Sequence, residues 1–315
     1  MACGVACLRG KWSPKKILAM TSLSLAVITI LLVSVFFWLL LHRTPGQAFD
    51  SNGVPVFYTV EGKGEPVILI HGLAAQSDWN WRYPGVTRML AKDFQVISMD
   101  IRGHGLTGKP TAPEAYGMEM IEDVVRLMDH LGLPSAHVAG YSLGGFIALK
   151  LAVTHPERVR SVAYCASGWA EVASLDEIPN PYRKPVPPGE TAMKAKAEEK
   201  TAEADSNKKN GNNKSLFHRI RSSFGDRVIN PDAKRALKKT FSEFAVPREA
   251  LQHNQVPSAC FIGTNDGLFY MAEELRKNMT NLEYVVIEGA NHFTTPFYGE
   301  FKRGLRDFFL RHREQ

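Results

Sequence analysis

The chain has 315 residues, of which 44% are hydrophobic and 22% are charged, and this composition excludes a disordered protein. The length is sufficient for one large domain with insertions. The formal net charge of +6 arises mainly near the N-terminus, where the first 16 residues contain four basic residues, Arg9, Lys11, Lys15 and Lys16, and the first acidic residue of the chain is Asp50. Because the rest of the chain is nearly balanced, the charge gives no reason to expect a nucleic-acid partner.

Residues 17–41 form an uncharged, apolar run. At about 1.5 Å per helical residue this run exceeds the roughly 30 Å hydrocarbon thickness of a bilayer, so it predicts a transmembrane signal-anchor helix after a basic cytoplasmic tail, residues 1–16. Only Arg43 follows closely, which predicts a cytoplasmic N-terminus and an extracytoplasmic catalytic domain, periplasmic or lumenal. The alternative is a cleaved secretory signal, because residues 46–48 offer a peptidase site, but such signals have shorter apolar cores.

From residue 46 onward, strand-like and helix-like segments alternate. Asn52-Gly53 predicts a β-hairpin, because this pair tolerates the positive φ of a two-residue turn. Apolar runs typical of buried strands follow, at residues 66–70, 94–99, from 136, 159–165, 258–262 and 282–287. Helix-period segments separate them, at 84–92, 118–131, 143–154, 270–279 and 296–311. The alternation predicts an α/β fold, a mostly parallel twisted sheet with helices on both faces.

Between about residues 168 and 250 this alternation stops. Prolines come first, then a charged and a polar stretch, so the segment is predicted to be a cap or lid over the carboxyl edge of the sheet, mobile near residues 208–213. In the stretch 216–224, apolar residues that include Phe217 and Phe224 recur at helical spacing. That apolar face either packs on the domain or rests in a lipid interface.

Cys165 and Cys260 each lie inside an apolar, strand-like run. This position predicts two buried thiols. A disulfide between them is the alternative in an exported domain.

A serine lies between glycines where a strand gives way to a helix, in Gly140-Tyr141-Ser142-Leu143-Gly144. A serine at the tip of so tight a turn has strained backbone geometry, and the glycines avoid clashes across the turn. The free N–H groups and dipole at the start of the following helix favour negative charge. Ser142 is therefore predicted to be a nucleophile. Because short glycine-serine patterns also occur by chance, a plain glycine-rich turn is the alternative.

Several motifs, in this order, resemble those of the α/β-hydrolase superfamily over about residues 46–315. His71-Gly72 after the first parallel strand is similar to the family's oxyanion loop, and residues 100–105 are similar to its post-strand turn. Residues 140–144 resemble its nucleophile elbow. The resemblance implies the α/β-hydrolase fold with an inserted lid.

The resemblance also implies a catalytic triad of Ser142, Asp266 and His292, in the family's chain order of serine, acid and histidine. Imidazole titrates near neutral pH and can accept the serine proton, and an aspartate holds the imidazole in the required tautomer. By the resemblance, the backbone N–H groups of Leu73 and Leu143 form the oxyanion hole. Six side chains are expected to contact substrate: His71, Trp79, Tyr141, Trp169, Phe217 and Phe293.

Some of these residues have other interpretations. Asp100 or Glu171 could be the triad acid instead, although the resemblance implies that Asp100 buttresses its turn with Arg102. His71 and His104 could pack their loops through hydrogen bonds, and Trp79 could be a packing residue.

The expected function is that of a membrane-anchored serine hydrolase that cleaves carboxylic esters, lipid or small acyl, through an acyl-enzyme. The alternatives are a C–C bond hydrolase, thioesterase or perhydrolase with the same triad, or a non-catalytic binding or receptor module. Ser142 stands where epoxide hydrolases and haloalkane dehalogenases of this fold carry aspartate, so those reactions are not expected. Since the sequence has no metal-spaced cluster and no phosphate loop, no cofactor or metal is expected.

Overall fold

The computed structural model describes residues 13–41, 43–169, 178, 181–182, 185 and 229–313. Two compact units divide the chain, Met1–Thr44 and Pro45–Gln315. Helix α1 of the first unit runs from Pro14 to Leu41, and its side chains are described at residues 18 and 20–35.

Over the described part of the chain, no helix has both the length and the apolar character that crossing a membrane requires. This finding overturns the predicted location, in which an anchor at residues 17–41 holds the catalytic domain outside the cytoplasm.

An eight-stranded sheet forms the second unit, with strand order β1-β2-β4-β3-β5-β6-β7-β8. The first two strands form an antiparallel hairpin whose turn residues, Asn52 and Gly53, have φ of 54° and 80°. Strand β2 is antiparallel to β4, and β3 to β8 are parallel to one another. The strands are β1 Gln47–Ser51, β2 Val54–Glu61, β3 Glu65–Ile70, β4 Phe94–Met99, β5 Ala136–Tyr141, β6 Val159–Cys165, β7 Ser258–Gly263 and β8 Leu282–Ile287.

Helices cover both faces of this sheet. Successive side chains of a strand point to opposite faces, so Ile68 of β3 joins one apolar cluster and Leu69 joins the other. The predicted α/β fold with a mostly parallel sheet is confirmed. The helices are α2 Val86–Leu90, α3 Met118–His130, α4 Leu143–Thr154, α5 Pro231–Lys239, α6 Arg248–Gln252, α7 Phe269–Asn278 and α8 Gly299–Arg311, with short 3-10 turns at Pro113–Ala115, Pro156–Arg158, Phe241–Phe244 and Thr295–Phe297.

The predicted lid is described only in part. In its later part, Ile229 forms an isolated antiparallel bridge with His104. Helix α5 then starts after Asn230, whose side-chain oxygen accepts the Asp232 N–H at 2.8 Å as an N-cap. The stretches 208–213 and 216–224, Phe217 and Glu171 all lie outside the described residues, so the predictions made for them stay predictions.

Candidate active site

Ser142 joins β5 to α4 in a strained conformation, with φ of 54° and ψ of −115°. Such positive φ values are uncommon for residues other than glycine. A Cβ added to Gly140 would lie 2.0 Å from the Gly144 carbonyl oxygen, and one added to Gly144 would lie 2.3 Å from the Ile70 oxygen. The Ser142 N–H donates to the Cys165 oxygen at 2.9 Å, which fixes the turn beside the end of β6. Only glycine fits at positions 140 and 144.

A continuous chain of hydrogen bonds links three of the predicted residues. His292 Nε2 lies 3.0 Å from Ser142 Oγ, and His292 Nδ1 lies 2.9 and 3.1 Å from the two carboxyl oxygens of Asp266. Because an ionised carboxylate only accepts, the imidazole proton is on Nδ1, and the Nε2 lone pair accepts the serine hydroxyl. Both Asp266 and His292 are buried. The arrangement can move a proton from Ser142 to His292.

Asp266 and His292 lie on loops that follow neighbouring parallel strands, β7 and β8. Asp266 is held by the Leu268 N–H, which donates to one carboxyl oxygen at 2.9 Å. The two loops are joined to each other, because the Asn265 N–H donates to the Ala290 oxygen at 2.8 Å. Since the carboxyl ends of parallel strands meet at one edge of the sheet, residues far apart in sequence converge there.

The loop after β3 lies directly against the serine. A Cβ on Gly72 would be 3.0 Å from Ser142 Cβ, and the Gly72 N–H donates to Asn80 Oδ1 at 2.9 Å. His71 Nδ1 lies 2.8 Å from the Gly72 oxygen, while its Nε2 accepts the Ile101 N–H at 3.0 Å. In a trans peptide the carbonyl and the next N–H point in opposite directions, so this bond turns the Leu73 N–H away from the His71 ring.

The two amides predicted for the oxyanion hole have free hydrogens. Among the residues that the structure describes, neither the Leu73 N–H nor the Leu143 N–H has a hydrogen-bond acceptor. The Leu143 amide is the first of helix α4, where such donors are left without intrahelical partners. Leu143 directly follows Ser142 in the chain. Leu73 directly follows Gly72, which lies against the Ser142 side chain. They can donate to an oxygen that develops negative charge beside the serine.

Three of the side chains expected to contact substrate are buried in the structure: His71, Tyr141 and Trp169. Both ring nitrogens of His71 are engaged by backbone groups, as its alternative interpretation as a loop-packing residue expects. The Tyr141 hydroxyl donates to the His292 carbonyl at 2.7 Å, and Trp169 Nε1 donates to the Val246 carbonyl at 2.9 Å. Each of the three polar groups thus bonds to the main chain.

Two others lie nearer to solvent. Trp79 is half-buried in a π-helical turn, Asp78–Arg82, and Phe293 beside His292 is 69% exposed.

Sequence reasoning missed Tyr182, whose ring centroid lies 5.3 Å from that of His292 at 89°. Tyr182 is 70% exposed and is positioned by the adjacent Pro181 carbonyl, which accepts the Gly267 N–H at 3.1 Å. An isolated aromatic residue in a proline-rich stretch gives no spacing signal that could have identified it.

Asp100 organises the turn that follows β4. One of its carboxyl oxygens accepts both the N–H and the hydroxyl of Ser77 at 2.9 Å, and the other accepts the Leu106 N–H at 2.9 Å. Asp100 therefore supports its turn, while the Arg102 guanidinium forms a two-pronged bond with Asp123 of α3, at 2.8 and 2.6 Å. This buried pair connects the turn to helix α3.

His104 and the two strand cysteines, Cys165 and Cys260, are completely buried. Burial, and secondarily the nearby His71 ring, lower the pKa of His104 to about 3, so this side chain is neutral at neutral pH. Cys165 and Cys260 are free thiols, as predicted, and burial raises the pKa of both. No group of three or more potential metal ligands occurs within the described ranges.

Comparison with known proteins matches residues 65–296 to a family model described as the alpha/beta hydrolase fold. The putative carbamate hydrolase RutD of Azorhizobium caulinodans is 37% identical over 115 residues, which are 36% of this chain and 42% of that protein. A 2-hydroxy-6-oxo-6-(2'-aminophenyl)hexa-2,4-dienoic acid hydrolase of Metapseudomonas resinovorans is 36% identical over 133 residues, 41% of this chain and 44% of that one. The matched segments thus span less than half the length of either relative.

Solved structures show the same fold. A meta-cleavage product hydrolase from Pseudomonas fluorescens IP01 superimposes with a TM-score of 0.64 at 19% identity, covering 85% of this chain and 98% of that one. An enol-lactonase from Burkholderia xenovorans LB400 gives 0.59 at 22% identity, covering 84% and 99%. At these identities the likeness shows the fold alone.

Proposed function

The chain belongs to the α/β hydrolase fold family and is a hydrolase of that fold, and from this premise we propose that it is a serine hydrolase that cleaves carboxylic esters. The observation that carries the proposal is the hydrogen-bonded series Asp266, His292 and Ser142, which ends beside two free backbone amides. A nucleophile, its base, the group that orients the base and an oxyanion site are together the parts that acyl transfer requires.

In the first step His292 Nε2 takes the Ser142 hydroxyl proton as Oγ bonds to the ester carbonyl carbon. The carbonyl oxygen becomes an oxyanion, and the Leu73 and Leu143 N–H groups donate to it. One such donor lowers the barrier by about 3 to 4 kcal/mol. Asp266 stabilises the imidazolium that forms and remains ionised itself.

The tetrahedral intermediate then collapses. His292 returns its proton to the leaving alkoxy oxygen, the carbon–oxygen bond breaks, and the alcohol departs while the acyl group stays on Ser142 Oγ. Water, deprotonated by the same nitrogen, attacks the acyl carbon, and its addition releases the carboxylic acid and restores the serine hydroxyl. The same residues thus serve both halves of the reaction.

The described surroundings of His292 favour an ester with an apolar portion. The exposed Tyr182 ring lies beside the imidazole, the exposed Phe293 follows His292 in the chain, and neither carries a charge that would select an ionic substrate. We assign this chemistry to a catalytic domain of residues 46–315 with a lid at about 168–250. The acyl group is lipid-derived or small.

Hydrolysis of a carbon–carbon bond is the second candidate. The observation that favours it is the similarity to the Metapseudomonas relative, whose name specifies a dienoic acid hydrolase. The same serine, base and oxyanion amides serve a ketone carbonyl, but a carbanion rather than an alkoxide leaves. The substrate alone distinguishes the two.

A substrate series tests the proposal. Purified enzyme is assayed on p-nitrophenyl esters of increasing acyl length and on a 2-hydroxy-6-oxo-dienoate, with Ser142→Ala as the inactive control. We expect ester turnover that depends on Ser142. Turnover of the dienoate alone would favour the second candidate, and turnover of neither, with no reaction with a fluorophosphonate, would indicate a binding module.

A further inference from the structure

Tyr141 is bonded to both the proposed nucleophile, Ser142, and the proposed base, His292, through the main chain, but it has neither role itself. It is the last residue of β5 and directly precedes Ser142. Its hydroxyl donates to the backbone carbonyl of His292 at 2.7 Å, across 151 positions of sequence. The bond therefore joins the strand that presents the nucleophile to the loop that carries the base.

The ring of Tyr141 has two aromatic neighbours. It lies 5.6 Å from the His292 imidazole, and 5.8 Å at 88° from the indole of Trp81, which is completely buried. Trp81 belongs to the turn Asp78–Arg82, and that turn also contains Asn80, the acceptor for the Gly72 N–H of the oxyanion loop. The Tyr141 side chain thus contacts the residue proposed as the base and the turn that holds the oxyanion loop.

Apart from the His292–Ser142 bond, which opens during the reaction, most hydrogen bonds of the His292 loop lie within it or reach the loop after β7. Thr294 and Thr295 bond to Asn291 within the loop, and the Ala290 carbonyl bonds to the loop after β7. These bonds shape the loop and fix it to Asp266, whereas the Tyr141 hydroxyl, which also bonds to the Thr295 side chain, fixes the loop to β5. Loss of the Tyr141 hydroxyl would therefore loosen His292 relative to Ser142 rather than relative to Asp266.

Two further observations fit a role of Tyr141 in holding the His292 loop. Burial raises the pKa of its hydroxyl well above the usual value, so the phenol stays protonated and can donate across the range of assay pH. The side chain is only 2% exposed, so it has almost no surface to offer a substrate.

We propose that Tyr141 is a positioning residue that holds the His292 main chain in register with Ser142, in place of the substrate contact expected from the sequence. This role rests on the proposed serine hydrolase function. A displacement of the base by a fraction of an ångström slows proton transfer, because reactivity falls steeply when reacting groups are misplaced. It leaves substrate binding unchanged.

Tyr141→Phe removes one oxygen and keeps the packed ring. Its matched control is Tyr116→Phe, because the buried Tyr116 hydroxyl also donates to a backbone carbonyl, that of Pro110, at 2.7 Å. A second variant, Trp81→Phe, loosens the packing around Tyr141 and removes no hydrogen bond, since Trp81 Nε1 has no partner among the described residues. For each we measure kcat, KM, the second-order rate with a fluorophosphonate, and Tm.

We expect Tyr141→Phe to lower kcat and the fluorophosphonate rate about 10-fold, the factor that corresponds to one buried hydrogen bond, with KM unchanged. Trp81→Phe should lower the same two rates by a smaller factor. Tyr116→Phe should lose a similar amount of Tm and keep both rates.

Equal rate losses in Tyr141→Phe and Tyr116→Phe would overturn the inference, because they would show general destabilisation. A change confined to KM would overturn it in favour of a substrate contact. Unchanged rates in both Tyr141→Phe and Trp81→Phe would also overturn it. If the wild-type protein itself reacts with neither ester nor fluorophosphonate, the proposed function fails first, which is a distinguishable result.

Discussion

Two sets of serine, histidine and carboxylate lie at opposite ends of β5. At its carboxyl end are Ser142, His292 and Asp266. Near its amino end, His137 Nδ1 lies 2.8 Å from Ser161 Oγ, and His137 Nε2 lies 3.1 Å from Glu65 Oε2. These distances match those of the first set to within a few tenths of an ångström. Composition and spacing alone therefore do not distinguish a catalytic site from a structural network.

The backbone distinguishes the two sets. Ser142 occupies a strained turn at the start of a helix, beside amides with free hydrogens. Ser161 lies inside β6, completely buried and opposite His137 in the parallel ladder. Because the ladder uses the backbone groups around Ser161, that serine has no equivalent of an oxyanion site.

The environment of the histidine differs as well. His137 is enclosed by the rings of Phe94 and Phe309, with centroids at 5.8 and 5.2 Å. Burial lowers its pKa to about 4, and the bond to Glu65 opposes that shift only in part. A base of such low pKa is a weak proton acceptor at neutral pH. The second set is thus suited to holding β3, β5 and β6 together.

Substitution of the two serines is expected to give the largest difference in ester turnover. Ser142→Ala should lower ester turnover by about 10⁶-fold, because the nucleophile is one member of a unit that works together. Ser161→Ala should keep kcat within about threefold of wild type, because Ser161 takes no part in the proposed reaction. Turnover on a p-nitrophenyl ester measures both, with circular dichroism as the folding control. Near wild-type turnover in Ser142→Ala would refute the nucleophile assignment.

The two carboxylates should differ by somewhat less. Asp266→Asn leaves the geometry but favours the wrong imidazole tautomer, so kcat should fall about 10⁴-fold. Glu65→Gln should leave kcat unchanged and cost about 1 to 3 kcal/mol of stability, because it removes a charged partner of His137 and Arg160. Steady-state kinetics and urea denaturation separate these effects. A kinetic defect in Glu65→Gln would show that the second set influences the site.

Lowering the pH should reduce the stability of the fold through His137. The pKa of His137 is about 4 when folded and near 6.5 when unfolded, so between these values the unfolded chain binds more protons. Stability is therefore retained above pH 6.5 and declines as the pH falls to about 4, by roughly 3 kcal/mol in total. Urea denaturation at pH 7 and pH 4.5 should show a smaller difference for His137→Gln than for wild type. Equal differences would contradict the pKa given for His137.

Local patterns in the sequence predicted most of the strands and helices. The apolar run 66–70 corresponds to β3 at Glu65–Ile70, and 258–262 corresponds to β7 at Ser258–Gly263. Strands buried on both faces leave such continuous runs in the sequence. The helix predicted at 84–92 is shorter, Val86–Leu90, because a π-helical turn at Asp78–Arg82 and Gly85 with φ of 83° precede it.

The candidate site was predictable where backbone geometry restricts residue type, as at Gly140 and Gly144. Contacts between distant segments were not predictable. The pairing of Arg102 with Asp123, the bond from Tyr141 to His292 and the second serine set each depend on strand order, and neither periodicity nor motif spacing encodes that order. The catalytic roles of the three triad residues stay predictions.

Covalent labelling tests the central claim most directly. A fluorophosphonate reacts with a serine only where a base and an oxyanion site activate it. After reaction and digestion, mass spectrometry should place the label on the peptide that contains Ser142, and His292→Ala should abolish it while His137→Gln does not. A label on Ser161, or labelling that survives His292→Ala, would contradict the assignment of Ser142 and His292 as nucleophile and base.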